Sequence, residues 1–191
     1  MATLGAFGYD KTILVVDQLP TTNRVSEMVV YCQPSSSDNG NGGLFWRWVA
    51  SISRWFNTEI RQMPMVLGPA AVCSNAVTAP NGGVQVHLGL LGPDFDCYVY
   101  NSSHYVQVST TNNSVAYWSM TFDRGDNIAL DTITTASATV NVPTLYKLNV
   151  NSIIPKSTQT RFVTKSVNTT ATQPGIFYAF SSVMSYSLLA N

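Results

Sequence analysis

Two histidines, His87 and His104, are the side chains of this chain that could act as a base near neutral pH. A hydrolase would need one of them hydrogen-bonded to a nucleophile and oriented by a carboxylate. Neither stands in a nucleophile elbow or a zinc-protease pattern, and the many serines provide no informative spacing. We therefore expect both histidines to be structural and the chain not to be an enzyme. A β-sandwich enzyme is the competing class, and it would need a pocket joining one histidine to a serine and an aspartate.

The carboxylates and thiols carry no metal or cofactor signature. Asp94 and Asp96 flank Phe95, and we expect a solvated turn there. A calcium site in that loop is the alternative, because oxygen ligands from a loop would suffice. No C-x-x-C pair, Cys/His cluster or glycine-rich phosphate loop occurs, so we expect no metal and no cofactor. The odd number of cysteines indicates reduced, buried thiols and favours a cytosolic origin. They are Cys32, Cys73 and Cys97.

The triplet Arg124-Gly125-Asp126 is the most specific short motif. It lies in the polar run Asp123 to Asn127, where glycine permits a positive φ and the two charged side chains could face outward. It resembles the integrin-binding loop of many adhesion proteins and of some virus capsids. The resemblance implies a receptor-binding site at Arg124, Gly125 and Asp126, and a plain β-turn is the alternative.

Composition excludes several classes of protein. The 191 residues carry a formal net charge of zero, only 10% are charged and 45% are hydrophobic. Typical globular domains have roughly 25% charged residues, so this surface lacks the repulsion that keeps monomers apart. Tight nucleic-acid binding needs clustered lysine and arginine, which the chain lacks. No signal peptide and no apolar run of membrane-spanning length occurs, so we expect no membrane insertion.

The elements that must position these residues are short β-strands. Apolar and polar residues alternate over 24–32, 83–91 and 176–189, and turn-forming residues separate the runs. The spacing predicts an all-β, antiparallel β-sandwich with at most one or two short helices. We expect an extended N-terminal arm over 1–11 and a single sandwich domain over 12–191. Strands are also predicted at 12–16, 97–101, 105–109, 115–122, 145–150 and 161–167, with one or two within 128–142.

The stretch 44–67 is the aromatic centre of the chain, with three of its four tryptophans, Trp46, Trp48 and Trp55. Its spacing fits either a short helix or a twisted aromatic strand over 44–56, and a strand over 58–67. Because aromatic side chains bury large areas, we expect these rings to anchor the core against the sandwich. A platform on which nucleic-acid bases stack is the alternative.

These features together resemble the jelly-roll coat proteins of small icosahedral viruses. Residues 46–52 (WRWVASI) resemble a W-R-G-S-type strand of picorna-like coat proteins, with Ala50 where that family tends to have glycine. Residues 140–143 (VNVP) resemble their later V-x-V-P strand end. The resemblance implies a jelly-roll fold and a structural capsid subunit that assembles into an icosahedral shell. A capsid projection, or a receptor- or carbohydrate-binding β-sandwich module, is the alternative, and a cluster of exposed aromatics on one rim would favour it.

The resemblance also sets expectations for partners and location. The partners would be copies of the chain, companion capsid proteins and a host-cell receptor, with no strong nucleic-acid binding by this chain alone. The protein would belong to the virion and be made in the host cytoplasm.

Overall fold

The structure is a computed structural model, and it describes residues 13–64, 94–109, 112–124, 128–168 and 174–190, with the backbone of 3–4, 71–73 and 85–91. These residues form fifteen β-strands and one short 3-10 turn, which confirms the expected all-β class. The strands are β1 Thr3–Leu4, β2 Ile13–Val16, β3 Val29–Cys32, β4 Leu44–Val49, β5 Arg54–Asn57, β6 Arg61–Pro64, β7 Ala71–Cys73, β8 Gln85–Leu91, β9 Cys97–Val108, β10 Ala116–Arg124, β11 Ile128–Thr134, β12 Thr144–Leu148, β13 Ser152–Ile154, β14 Thr160–Asn168 and β15 Phe177–Ala190.

Two sheets make up the fold. The larger sheet runs in the order β1-β2-β3-β4-β5-β15-β9-β12, with β6 and β7 also paired to β15 and β13 paired to β9. The smaller sheet has the order β11-β10-β14-β8. Every pairing among the described strands is antiparallel except that of β2 with β3. The expected antiparallel sandwich is therefore the observed architecture.

The main core lies between the smaller sheet and the β9, β12 and β15 part of the larger one. It forms because inward side chains recur at every second position, as in β9 (Cys97, Val99) and in β10 (Trp118, Met120, Phe122). These side chains are all less than 2% exposed. The sandwich thus buries the apolar half of each alternating strand.

A second, smaller core holds the three tryptophans. Trp46, Trp48 and Trp55 are 2%, 5% and 0% exposed, which confirms the prediction that they are buried. They pack with Leu19, Val30 and Cys32. This cluster lies among β2 to β5, separate from the main core, and Leu188 of β15 packs against both clusters.

The aromatic stretch is a hairpin of two strands, not a helix. The 3-10 turn Ala50–Ile52 joins β4 to β5, and Ser53 adopts a left-handed φ of 52°. Two of the three indole N–H groups of this hairpin have carbonyl acceptors: Trp46 Nε1 donates to Asn41 at 3.0 Å and Trp55 Nε1 to Pro20 at 3.2 Å. The alternative of an exposed stacking platform is therefore excluded for these three rings.

The last strand changes which face it buries. In β15 the inward residues are Phe177 and Ala179, then Ser182 and Met184, so the alternation slips by one residue in between. The slip coincides with a register shift against β9 between Ala179 and Ser181, and a second shift follows between Ser185 and Tyr186. Each shift is an irregularity of the β-bulge kind, which places one extra residue in the strand. The prediction of a single uninterrupted alternation over 176–189 is therefore wrong.

Other strands begin or end at residues different from those predicted, each for a local reason. The strands expected at 97–101 and 105–109 form one strand, β9, which ends at Val108, since Ser102 points inward and bonds a neighbour instead of starting a turn. The strand expected over 24–32 begins only at Val29, because Asn23 and Glu27 have positive φ. In the VNVP stretch, Asn141 has a φ of 59° and the strand begins after Pro143. The strand end implied there by the resemblance is thus wrong.

The expected extended arm is described only at Thr3–Leu4, which pairs with Ile13 and Leu14 of β2. The strand predicted at 58–67 is observed as β6 over Arg61–Pro64, and 65–67 lie outside the described residues. The boundary at residue 12 between arm and domain stays a prediction.

Candidate functional site

His104 lies inside the sandwich, held by two serines. The Ser102 hydroxyl is 2.7 Å from its Nε2, and the Ser182 hydroxyl bonds its Nδ1. The side chains of all three residues are buried, at 2% exposure or less. Burial lowers the pKa of His104 to about 3, so the imidazole is neutral at physiological pH.

This geometry does not make a catalytic site. A substrate cannot reach a fully buried ring that two serines and Phe162 enclose, and no carboxylate orients it among the described contacts. His104 is therefore structural, as its sequence context predicted. The side chain of His87 lies outside the described residues, although its backbone is part of β8.

The Arg-Gly-Asp triplet is only partly described. Arg124 is the last residue of β10 and pairs with Ile128 of β11 and Thr160 of β14. Asp123, expected in the same polar turn, is a buried strand residue whose carboxylate accepts two bonds from Arg161, at 2.8 and 3.1 Å. Arg124 is therefore a strand residue, and Gly125 and Asp126 lie outside the described residues.

The carboxylate of Asp96 serves the fold. Its Oδ2 is 3.2 Å from Arg54 Nη1, and its Oδ1 accepts the Lys156 backbone N–H at 2.9 Å. Both carboxylate oxygens of Asp96 thus have partners within the fold. Among the described residues, no group of three or more histidine, cysteine or acidic side chains could hold a metal ion.

Two of the three cysteines are described, and both are buried free thiols, as predicted. Burial, reinforced by the nearby Asp96 charge, raises the pKa of Cys97 to about 12. Burial is also the main cause of the raised pKa of Cys32. Both groups are therefore protonated and unreactive in the folded protein.

The surface feature that stands out is a row of exposed apolar side chains on the outer face of the larger sheet. Leu145 of β12, Tyr105 of β9 and Phe180 of β15 are 65%, 41% and 48% exposed. Leu145 is the register partner of Tyr105, and the Tyr105 and Phe180 rings lie 6.0 Å apart. We call these three residues the apolar row.

A backbone irregularity places Phe180 in this row. Phe180 occupies the register shift between Ala179 and Ser181, and Ser181 is the residue paired with Tyr105. Phe180 and Ser181 consequently both face outward, while Ala179 and Ser182 face the core. Bulges commonly re-aim a side chain in this way.

The sheet around the row is almost uncharged. Strands β9, β12 and β15 contain one lysine, Lys147, and no arginine, aspartate or glutamate. Single exposed apolar residues are normal on a protein surface, whereas contiguous ones on a sparsely charged face are typical of a contact surface. The row thus marks the best candidate for an interaction surface among the described residues.

Sequence patterns alone could not find the row. Its members come from three segments far apart in the chain, and the register of β9 with β12 and β15 brings them together. The available signal was the absence of charge from the two longest strands.

No helix among the described residues combines the length and the apolar character needed to cross a bilayer.

Comparison with known proteins gives structural similarity only. No protein-family model matches the sequence, and no curated protein matches it. Solved structures that resemble the fold include infectious bursal disease virus of the Gt strain, at 14% identity and a TM-score of 0.46, covering 88% of this chain and 39% of that chain.

Two further structures show the range of the similarity. The VP2 subviral particle of infectious bursal disease virus has 14% identity and a TM-score of 0.43, covering 69% of this chain and 33% of that one. An α-L-arabinofuranosidase has 13% identity and a TM-score of 0.34, covering 67% of this chain and 23% of that one. The chain spans about a third to two fifths of the length of these virus proteins.

Proposed function

We propose that this chain is a structural, non-enzymatic subunit of a viral capsid and that its outer sheet face packs against neighbouring subunits in a closed icosahedral shell. The observation that carries the proposal is the apolar row on three strands whose one charged residue is Lys147. Covering apolar area releases roughly 25 cal/mol per Å². Each exposed member of the row therefore favours contact with a second surface.

The partners that fit this face are other copies of the chain and companion capsid proteins. A zero net charge lets identical subunits approach without mutual repulsion. Symmetric assembly repeats one contact many times, so a modest row of apolar side chains is multiplied over a shell. The finer assignment to a picorna-like virus depends on residues 46–52, which form the end of β4 and the 3-10 turn. Residues 140–143 do not support it, because no strand ends there. The protein would then belong to the virion and be synthesised in the host cytoplasm.

Electron microscopy and light scattering of the purified, expressed chain test the proposal directly. We expect shells, rings or other defined assemblies, and we expect the triple variant Leu145→Ser, Tyr105→Ser, Phe180→Ser to remain monomeric. Ile60→Ser is the matched control, because Ile60 is equally exposed at 64% but lies outside the row. It should assemble like the wild type.

Two results would count against the proposal. One is a wild-type chain that stays a soluble monomer at high concentration and low salt. The other is a triple variant that keeps its melting temperature and still assembles, since that would place the contact elsewhere.

A receptor- or carbohydrate-binding β-sandwich module is the second candidate. The exposed Tyr105 and Phe180 rings favour it, because paired aromatic rings at a surface also suit a ligand platform. They lie on the face of the sheet and not on a rim. Under this alternative the triple variant would lose ligand binding while the wild type remains monomeric, so the same samples separate the two functions.

We also propose that Arg124, Gly125 and Asp126 contact a host-cell receptor of the integrin type. The support is the triplet itself together with the position of Arg124 at the end of β10, beside the edge strand β11. Adhesion of integrin-bearing cells to the immobilised protein should be lost in Asp126→Glu and kept in Asp94→Glu, a control at another exposed loop. Equal adhesion to both variants would show that the triplet does not bind the receptor.

A further inference from the structure

A cleft of about 610 Å³ opens at the junction of the two cores, away from the apolar row. Its floor is the end of β15, where Leu189 pairs with Phe56 of β5 after Leu188 has paired with Cys97 of β9. One wall is built by the segments around Gln18 and Asn39. The volume lies within the range of small-molecule sites, which span roughly 300–1,000 Å³.

The first wall of the cleft presents uncommitted polar side chains. Gln18, Thr21, Asn39 and Asn41 line it, and none of these side chains forms a hydrogen bond to another described residue. Together they supply amide donors, amide acceptors and a hydroxyl. Such groups match a ligand with several hydroxyl groups.

A second part of the lining combines an aromatic ring with positive charge. Phe95 is held in place by stacking on Tyr186, with ring centroids 5.6 Å apart and an interplanar angle of 18°. Arg54 and Lys156 also line the cleft, and Asp96 is its carboxylate. An apolar ring beside polar groups is the composition that binds the C–H face and the hydroxyl edge of a sugar.

The charges that line the cleft favour a negatively charged sugar. The Asp96 carboxylate is satisfied from within, by Arg54 Nη1 at 3.2 Å and by the Lys156 backbone N–H at 2.9 Å. The Lys156 ammonium forms no ion pair with a described residue, so two cations face one compensated anion. Asp17 and Asp38, in the adjacent loops, accept bonds from Gln33 and from the loop backbone and do not line the cleft.

We infer that this cleft binds an acidic saccharide, with the sugar carboxylate at Lys156 and the free edge of Arg54, and the hydroxyl groups on Gln18, Asn39 and Asn41. A planar carboxylate suits a guanidinium and an ammonium through charge-assisted hydrogen bonds. The inference is independent of assembly, because the cleft and the apolar row share no residue.

Titration calorimetry of the full chain with 3′-sialyllactose, methyl β-glucuronide and neutral lactose tests the inference. At least one acidic probe should bind, with lactose at least about tenfold weaker, as expected when a charged hydrogen bond is lost. Lys156→Gln should weaken the acidic probe by a similar factor. Lys147→Gln, an exposed lysine on β12, is the matched control and should bind normally.

Gln18→Ala provides a second test, because it removes a hydroxyl-binding group without changing the charge. It should weaken the acidic probe several-fold at an unchanged melting temperature. The inference is overturned if neither acidic probe binds, if lactose binds equally well, or if Lys156→Gln and Lys147→Gln bind alike.

Discussion

The imidazole ring of His104 in β9 lies flat against the phenyl ring of Phe162 in β14, with centroids 3.6 Å apart and planes within 10° of parallel. The contact joins the two sheets at the centre of the main core. The ring nitrogens are satisfied by Ser102 and Ser182, so the polar edge of the ring is paired and its apolar face packs. A neutral histidine is therefore part of the packing between the sheets.

This arrangement predicts a specific dependence of stability on pH. The pKa of His104 falls from 6.5 in the unfolded chain to about 3 in the folded protein, so below pH 6.5 the unfolded state binds the extra proton. Its stabilising contribution is thus complete above pH 6.5 and is lost as the pH falls toward 3. The expected loss is about 1 kcal/mol of unfolding free energy per pH unit.

Urea unfolding at pH 7, 6 and 5 measures this effect with few carboxylates titrating. The variant His104→Gln keeps a polar side chain that does not ionise, and it should lose less stability than the wild type over the same interval, whatever its stability at pH 7. Parallel losses in the two proteins would assign the pH dependence to other groups.

The ion pair between Asp123 and Arg161 should be worth far more to the fold than the surface pairs. The two residues are register partners on β10 and β14, their contact is bidentate at 2.8 and 3.1 Å, and their side chains are 11% and 15% exposed. Asp123→Asn removes the charge of the carboxylate that pairs with this largely buried guanidinium, and breaking a buried pair costs on the order of 3–5 kcal/mol.

Glu59→Gln is the matched control for Asp123→Asn, because Glu59 pairs with Arg61 at 3.5 Å with its side chain 64% exposed. Exposed pairs contribute roughly 0–1 kcal/mol. Chemical unfolding of both variants should therefore separate them clearly. Similar unfolding midpoints would show that the Asp123 pair is as replaceable as a surface pair.

The buried tryptophan hairpin supports a third prediction. Trp55 is fully buried, and its ring meets Trp48 edge-on at 5.4 Å. Trp55→Ala should cost on the order of 3–5 kcal/mol, because it removes transfer energy and leaves a cavity. Phe45→Ala, at a 43% exposed position of the same hairpin, should cost about 1 kcal/mol or less.

Thermal unfolding of the two variants provides the comparison. If Trp55→Ala melted like the wild type, the second core would not contribute to global stability, and β2 to β5 would have to unfold independently of the sandwich. A melting curve with two separate transitions in the wild type would point the same way.

Much of the strand pattern was predictable because burial on one face imposes alternation on the sequence. Strands β8, β10, β14 and β15 lie close to where alternation placed them. The shifts inside β15 were not predictable, since a bulge is fixed by pairing with a distant strand and not by local preference. The fusion of two predicted strands into β9 has a similar cause: Ser102 resembles a turn residue in sequence but is buried beside His104.

The candidate sites were less predictable than the fold. Asp96 could be identified as one of a close pair of carboxylates, but its partners Arg54 and Lys156 come from segments far away in the chain. The polar run at 123–127 has the composition of a turn, whereas the pairing of Asp123 with Arg161 extends β10 through Arg124. Long-range pairing, which composition does not encode, decides both cases.

The last prediction concerns nucleic acid, which we expect this chain alone not to bind tightly. Four arginines already have carboxylate partners within 3.5 Å, and the guanidinium of a fifth, Arg24, lies 3.9 Å above the Trp48 ring. The paired arginines are Arg47, Arg54, Arg61 and Arg161. The described lysines lie on separate segments, in β12, in the loop before β14 and in β14, so they present no continuous basic track.

Scattered basic groups can neutralise few phosphates, so counterion release supplies little driving force for binding. The fall of affinity with salt should be correspondingly small, because it scales with the number of phosphates neutralised. Fluorescence anisotropy with a labelled single-stranded RNA at 50 and 200 mM salt should show weak binding that changes by less than about tenfold, as for one or two phosphate contacts. A protein with six or more contacts would lose roughly a thousandfold over the same range. A steep loss of that size would mean that residues outside the described part of the chain, or a shell of many copies, create a basic surface that a single sandwich lacks.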